Sequence, residues 1–162
     1  MLFLRSLFFT ILFPGTVTVG IPYWLVSSVP VMHRSNPGPL HFFGLPLMVV
    51  GGIGLLGCIW QFFAEGRGTL APVDPPKHLI IRGLYRLVRN PMYVCVLLVL
   101  FGEAIFFQSQ AIVIEAGVFF LCTHLFITLY EEPALQKQFG ASYEIYVQKV
   151  GRWIPRLPDK EP

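Results

Sequence analysis

Charged residues make up only 13% of this 162-residue chain, against 54% apolar residues and a mean hydropathy of +0.63, which excludes an ordinary soluble domain. A basic polar tract is lacking too. The net charge of +3 is small and the Lys and Arg residues flank apolar runs, so anionic lipid headgroups are their expected neighbours and nucleic acid is not. Cysteine is sparse: Cys58, Cys95 and Cys122 each lie inside an apolar run, with no Cys-x-x-Cys pair and no His at ligand spacing. That excludes a disulfide framework and a zinc site, no metal is expected, and the three thiols read as small packing residues. No small-x-small cleavage site follows Arg5 and the apolar residues 7 to 13, and apolar character continues past Tyr23 to Val29. A retained anchor helix is therefore expected rather than a removed signal. Internal repeats and low-complexity stretches are absent.

What the chain has in quantity is apolar runs. Four can cross the ~30 Å of bilayer hydrocarbon, which takes roughly 20 helical residues: about 2 to 29, 40 to 63, 91 to 108 and 111 to 130. The third is the shortest. Pro14 and Pro22 are expected to kink or interrupt the first, a change that neighbouring helices in a membrane can accommodate. Arg67, Lys77, Arg82, Arg86 and Arg89 lie between the second and third runs, and Lys137, Lys149, Arg152, Arg156 and Lys160 follow the fourth. Cytoplasmic loops collect such residues, which places the termini, the central loop and the tail in the cytoplasm. The expected architecture is one all-α integral membrane domain over 1–162, about four transmembrane helices with amphipathic cytoplasmic helices, the first two spans lying in 1–63.

In the second run Gly44, Gly51, Gly54 and Cys58 share about 80° of helical arc, a small-residue seam on which another helix can pack closely. The Gly52-Ile53-Gly54 triplet alternatively brings backbone close to a cofactor. Between residues 64 and 77, Gly66, Gly68, Pro72, Pro75 and Pro76 forbid a long helix and favour a folded-over connection, a candidate lid. Next, Arg82, Arg86 and Arg89 cluster opposite Ile80, Leu84, Leu87 and Val88, which predicts a helix lying at the interface. In the tail Leu135, Phe139, Tyr143, Tyr146 and Val150 share one face, predicting helix broken near Gly140 that packs back on the surface.

The hairpin from Pro91 turns at Gln108-Ser109-Gln110 and ends on Glu131-Glu132. Adjacent carboxylates at the negative end of a helix, beside anionic lipid, call for compensation, which Arg86 and Arg89, a bound cation or a cofactor carrying hydroxyl and ammonium groups would provide. The plainer alternative is charge that merely stops a span. His124, Thr128 and Glu131 at i, i+4 and i+7 align a candidate general base with the Glu pair, unless His124 is a hydrogen-bonded packing residue. Glu103 and Glu115 belong to the opposite membrane side and read as structural.

The order His78-Leu79-Ile80-Ile81, Gly83-x-Tyr85, Arg89-Asn90-Pro91-Met92-Tyr93, then after the hairpin Glu131-Glu132-x-x-Leu135, Phe139-Gly140, Tyr143-x-x-Tyr146 and Pro155, resembles the isoprenylcysteine carboxyl methyltransferase family, whose wider kin include phospholipid methyltransferases. The resemblance covers about residues 64 to 158 and implies a cofactor-binding methyltransferase core there, dependent on S-adenosyl-L-methionine. By position, it implies that His78, Leu79, Ile80, Ile81, Gly83, Tyr85, Arg89, Asn90, Pro91, Met92 and Tyr93 surround the cofactor and that Glu131 and Glu132 border methyl transfer. A lipophilic small molecule or lipid is the implied acceptor, whether through a carboxylate, amine or thiol. Two departures stand out: Asn90 occupies the place of a family histidine and cannot become charged, and Ile127-Thr128 stands where a carboxylate-binding arginine is found. Arg152 or Lys149 from the tail is the expected substitute. Two further classes compete: a nicotinamide-dependent membrane reductase of the sterol reductase type, and a non-enzymatic membrane scaffold.

Overall fold

The computed structural model describes residues 11–28, 39–61, 64, 79 and 81–156, and among these it is helical apart from turns and one isolated bridge. A ten-residue π-helix, Ile11–Gly20, runs directly into α1, Ile21–Ser28. Pro14 has no N–H to offer a helix, and here the chain widens around it instead of breaking. The Thr18 hydroxyl donates to the Pro14 carbonyl at 2.7 Å. Pro22, fully buried, follows directly on the junction between the π-helix and α1.

A 3₁₀ turn, Pro39–Phe43, leads into α2, Gly44–Gln61, which lies along α3, Pro91–Phe107. Glycine is what lets these backbones touch. A Cβ on Gly51 would stand 2.8 Å from the Cys95 carbonyl oxygen and 2.9 Å from the Val99 nitrogen, and one on Gly102 would stand 2.7 Å from the Gly44 carbonyl oxygen. The seam expected of α2 therefore faces α3, with Cys95 Sγ filling the notch at Gly54 and Cys58 buried one turn on. Gly51 and Gly54 are thus packing positions against α3, whereas Gly52 meets no protein atom within 4 Å. The outer face of α2, with Val49, Val50, Ile53, Leu56 and Trp60, is exposed and apolar.

Gln108 takes the left-handed conformation that closes α3, and Ser109 Oγ accepts the Ile112 N–H at the start of α4, Gln110–Phe126. Leu100, Ile112 and Ala116 are fully buried where the two helices meet. Glu103 and Glu115 lie close to this turn, with carboxylate oxygens that have no hydrogen-bond partner among the described residues. Past Phe126 a π-helical turn, Ile127–Glu131, continues into α5, Glu132–Phe139. Gly140 (φ +52°, ψ −128°), a conformation open to glycine, separates it from α6, Ala141–Lys149, as the tail pattern predicts.

Two of the continuous helices, His41–Gln61 and Gln110–Phe139, are long and apolar enough to cross a membrane. The third expected crossing, α3, has 17 residues, about 25 Å of helix and short of the hydrocarbon thickness. Part of the first run, and the Gly/Pro lid over 65–77, lie outside the described residues. One expectation is corrected: the arginine face over 78–90 does not form a continuous interfacial helix. Residues 81–90 instead hold a single 3₁₀ turn, Gly83–Arg86, because Gly83 adopts φ +54° at one end and Asn90, held outside the helical region before Pro91 (φ −121°, ψ 56°), stops helix at the other.

Candidate functional site

Most of the residues singled out by motif lie along the path from residue 79 to Tyr93. His78 and Ile80 lie outside the described residues. Leu79 packs against the Tyr143, Tyr146 and Val150 cluster, whereas Ile81 is exposed. Gly83 faces the Gln61 side chain at the end of α2, so the 3₁₀ turn starts against that helix. Tyr146, buried on α6, donates its hydroxyl to the Tyr85 carbonyl at 2.7 Å. Beyond the turn Val88 pairs with Gly151, and the Arg89 N–H donates to the Gly151 carbonyl at 2.8 Å. Asn90 is buried and donates through Nδ2 to the Arg152 carbonyl at 3.3 Å. Pro91, also buried, opens α3; Met92 and Tyr93 pack on the hairpin core, the Tyr93 ring 6.3 Å from that of Phe119.

The two adjacent carboxylates have different surroundings. Glu132 is gripped from two sides: Arg152 donates Nε to Oε1 at 2.8 Å and Nη2 to Oε2 at 2.7 Å, a bidentate fork, while Arg89 Nη1 lies 3.1 Å from Oε1. The hydrogen bond and charge of Glu132 hold the Arg152 guanidinium above even its usual range. Glu131 has no such grip, and its buried Oε2 lacks a hydrogen-bond partner, as does Arg89 Nε. Burial pushes the Tyr85 phenol well above its ordinary range, and the nearby Glu131 charge adds to the effect. Tyr85 is thus a neutral phenol within electrostatic reach of Glu131.

His124 does not take the position that a uniform helix predicts. The π-helical turn at Ile127–Glu131 inserts a wider turn before Glu131, so the 100° per residue phasing of His124, Thr128 and Glu131 no longer holds. Its Nδ1 accepts a hydrogen bond from Trp153 Nε1 at 3.2 Å, within a group of rings completed by Phe120. Thr128 is occupied locally, donating to the His124 carbonyl at 2.7 Å. Lys149 is exposed at the end of α6, and Arg156 is spent on the Val147 and Gln148 carbonyls that close the same helix. Trp153 and Gly151 are site neighbours that motif reading missed. Only the aromatic beside Arg152 pointed to them, and pairing over 29 residues with His124 leaves no local trace in sequence.

A family model described as phospholipid methyltransferase matches residues 39–142, which is from the turn before α2 to the start of α6. The chain belongs to the phospholipid methyltransferase family. No curated protein matches it. The family match takes in Gly83–Tyr93 and Glu131–Glu132 but ends before Gly151, Arg152 and Trp153. In this methyltransferase, then, the tail that grips Glu132 is supplied from outside the matched region. Removing the contact that ties Tyr85 to that tail tests how far the tail holds the turn: Tyr146→Phe is expected to cost about 1 kcal/mol, seen as a lowered melting temperature in detergent. Unchanged stability would mean water replaces the hydroxyl without loss.

Proposed function

We propose that this chain is a membrane-embedded methyltransferase that takes S-adenosyl-L-methionine from the cytoplasm and methylates a lipophilic acceptor reaching the site from the bilayer. The observation that carries the reading is the convergence of Tyr85 and Arg89 on the Glu131-Glu132 pair, inside the family match. When bound, the cofactor supplies a methyl group on a positively charged sulfur. Glu131 offers a buried, unshared carboxylate oxygen to a cationic or hydroxyl-bearing group, and Arg89 Nε offers a buried donor to an anionic one. Fit between these groups and the cofactor's mixed charge supports the reading without a metal. Tyr85 and Tyr93 add ring faces that attract positive charge by about 0.5–2 kcal/mol each. Such transfer asks mainly for alignment, and a segment fixed at Gly83, Val88 and Asn90 by other elements is suited to hold reactants in register.

We read four crossings, with the termini and site on the cytoplasmic side, from the charge distribution and apolar runs. His78 and Leu79 to Ile81 complete the cofactor's surroundings in this reading, and Glu132 contributes through its position beside Glu131. The family name favours a lipid acceptor; amine, carboxylate and thiol chemistry are separated by experiment. Thermal melts of the detergent-solubilised protein with S-adenosylhomocysteine and with NADPH make the first test. At a hundredfold excess over Kd the correct ligand adds about 2.7 kcal/mol, or roughly 5–10 °C for a chain of this size. Stabilisation by NADPH alone would replace methyl transfer with reduction. Transfer of a radiolabelled methyl group into a total lipid extract identifies the acceptor, and a blank result in every lipid class would favour a scaffold.

A further inference from the structure

We infer that Arg152 is a positioning residue of the proposed site: it holds Glu132 with its guanidinium and Asn90 with its carbonyl, leaving Glu131 as the free carboxylate of the pair. The inference rests on the methyltransferase reading and goes beyond it, because Arg152 lies outside the family match and touches no reacting group there.

Three observations carry it. The grip on Glu132 is not an exposed surface pair: the side chains of Arg89, Glu132 and Arg152 are 8%, 19% and 30% exposed, and both Glu132 oxygens are engaged. Compensation of the two adjacent acids, which the structure places within the continuous helix Gln110–Phe139 and not at its end, therefore falls on Glu132, while a buried oxygen of Glu131 has no partner among the described residues. Second, one backbone stretch serves both halves of the site. Gly151 accepts from the Arg89 N–H, Arg152 accepts from Asn90 Nδ2, and the same Arg152 reaches α5 through its side chain. Third, the stretch is fixed on its far side, where Trp153 hydrogen-bonds His124 and lies against Phe120 on α4. A side chain held at both neighbours cannot shift alone. Displacing Arg152 must move the Arg89–Tyr93 segment, Glu132 or both relative to α4. The expected arginine contact with substrate is replaced by an indirect role, since its fork is already filled.

The test compares wild type with Arg152→Ala, Arg152→Lys, Glu132→Gln and the Arg152→Ala/Glu132→Gln pair, all full-length in detergent. Titration with S-adenosylhomocysteine reads affinity, and hydrogen–deuterium exchange reads the 88–93 segment against 110–126. Loss of alignment is expected to weaken binding about 10- to 100-fold in Arg152→Ala. Lysine restores the charge without the fork and should recover part of that loss. The loss in the double variant should fall short of the sum of the two single losses, because both changes break the Arg152–Glu132 contact and only the Arg89 ion pair is lost separately. Exchange should quicken at 88–93 and stay constant at 110–126. Unchanged affinity in Arg152→Ala overturns the inference and leaves the methyltransferase reading intact. So does a loss that lysine does not relieve and that follows a general fall in melting temperature. If Arg152→Ala does not fold, Arg152→Lys and Glu132→Gln decide by the same two readouts. Wild type that fails to bind S-adenosylhomocysteine removes the reading itself, and the inference with it.

Discussion

Gly51→Leu is expected to leave the protein unfolded or aggregated in detergent, while Gly52→Leu, one residue away, behaves as wild type. The difference lies in which atoms surround the added carbon. At Gly51 even a Cβ would meet the Cys95 carbonyl oxygen at 2.8 Å and the Val99 nitrogen at 2.9 Å. Both are backbone atoms of α3 and cannot rotate away. Accommodation requires that α2 and α3 separate, which uncovers Leu55, Cys58 and the Cys95 notch together. Strained insertion into a packed contact typically costs 1–3 kcal/mol, and here, where the obstacle is main chain, about 3 kcal/mol or more. At Gly52 nothing lies within 4 Å, so leucine joins the exposed apolar face with an effect of about 0.5 kcal/mol or less. Circular-dichroism melts and size-exclusion profiles distinguish the two. Equal melting of Gly51→Leu and wild type would mean that the helices are not in backbone contact.

The parts of this fold that could be read from sequence are those set by local pattern. Small residues at helical spacing marked the α2 face that meets α3, turn residues marked Gln108–Gln110, and Gly140 marked the break between α5 and α6. The arginine face over 78–90 misled because periodicity describes what a helix would present, not whether one forms. Gly83 with positive φ and the pairing of Val88 with Gly151 decided that question, and the second depends on a residue 63 positions away. The same limit applies at the site. Tyr85 and Glu131 were expected to meet, and the structure brings them near each other. By contrast, the division of labour within Glu131-Glu132 is invisible in the sequence, where the two acids are equivalent neighbours. It depends on Arg152 returning through two intervening helices and on a π-helical turn that re-aims the end of α4. His124 shows the cost of assuming a regular helix across that turn.

Glu131→Gln is expected to reduce methyl transfer about 100-fold, on the scale of removing one preorganised electrostatic group, without lowering the melting temperature. Glutamine keeps the shape of the side chain and removes its capacity to carry negative charge. Because Glu131 Oε2 has no hydrogen-bond partner among the described residues, no contact that holds the fold is lost. What disappears is a carboxyl oxygen able to carry negative charge near Tyr85, at the place where the proposed reaction needs positive charge to be tolerated. Glu132→Gln should behave in the opposite manner. There the substitution leaves two guanidiniums, Arg89 and Arg152, without their shared counter-charge, and the expected loss is stability, about 1–2 kcal/mol for groups only partly buried. Any loss of rate in Glu132→Gln should follow weakened cofactor binding, since Glu132 acts through Arg152 and Asn90. Measuring kcat, KM for the methyl donor and melting temperature on both variants separates these effects. A Glu131→Gln enzyme that turns over at the wild-type rate would transfer the role to another group, however close Glu131 lies to Tyr85. Should both variants lose stability equally, the two carboxylates share one structural function, and the asymmetry of their partners has no chemical consequence.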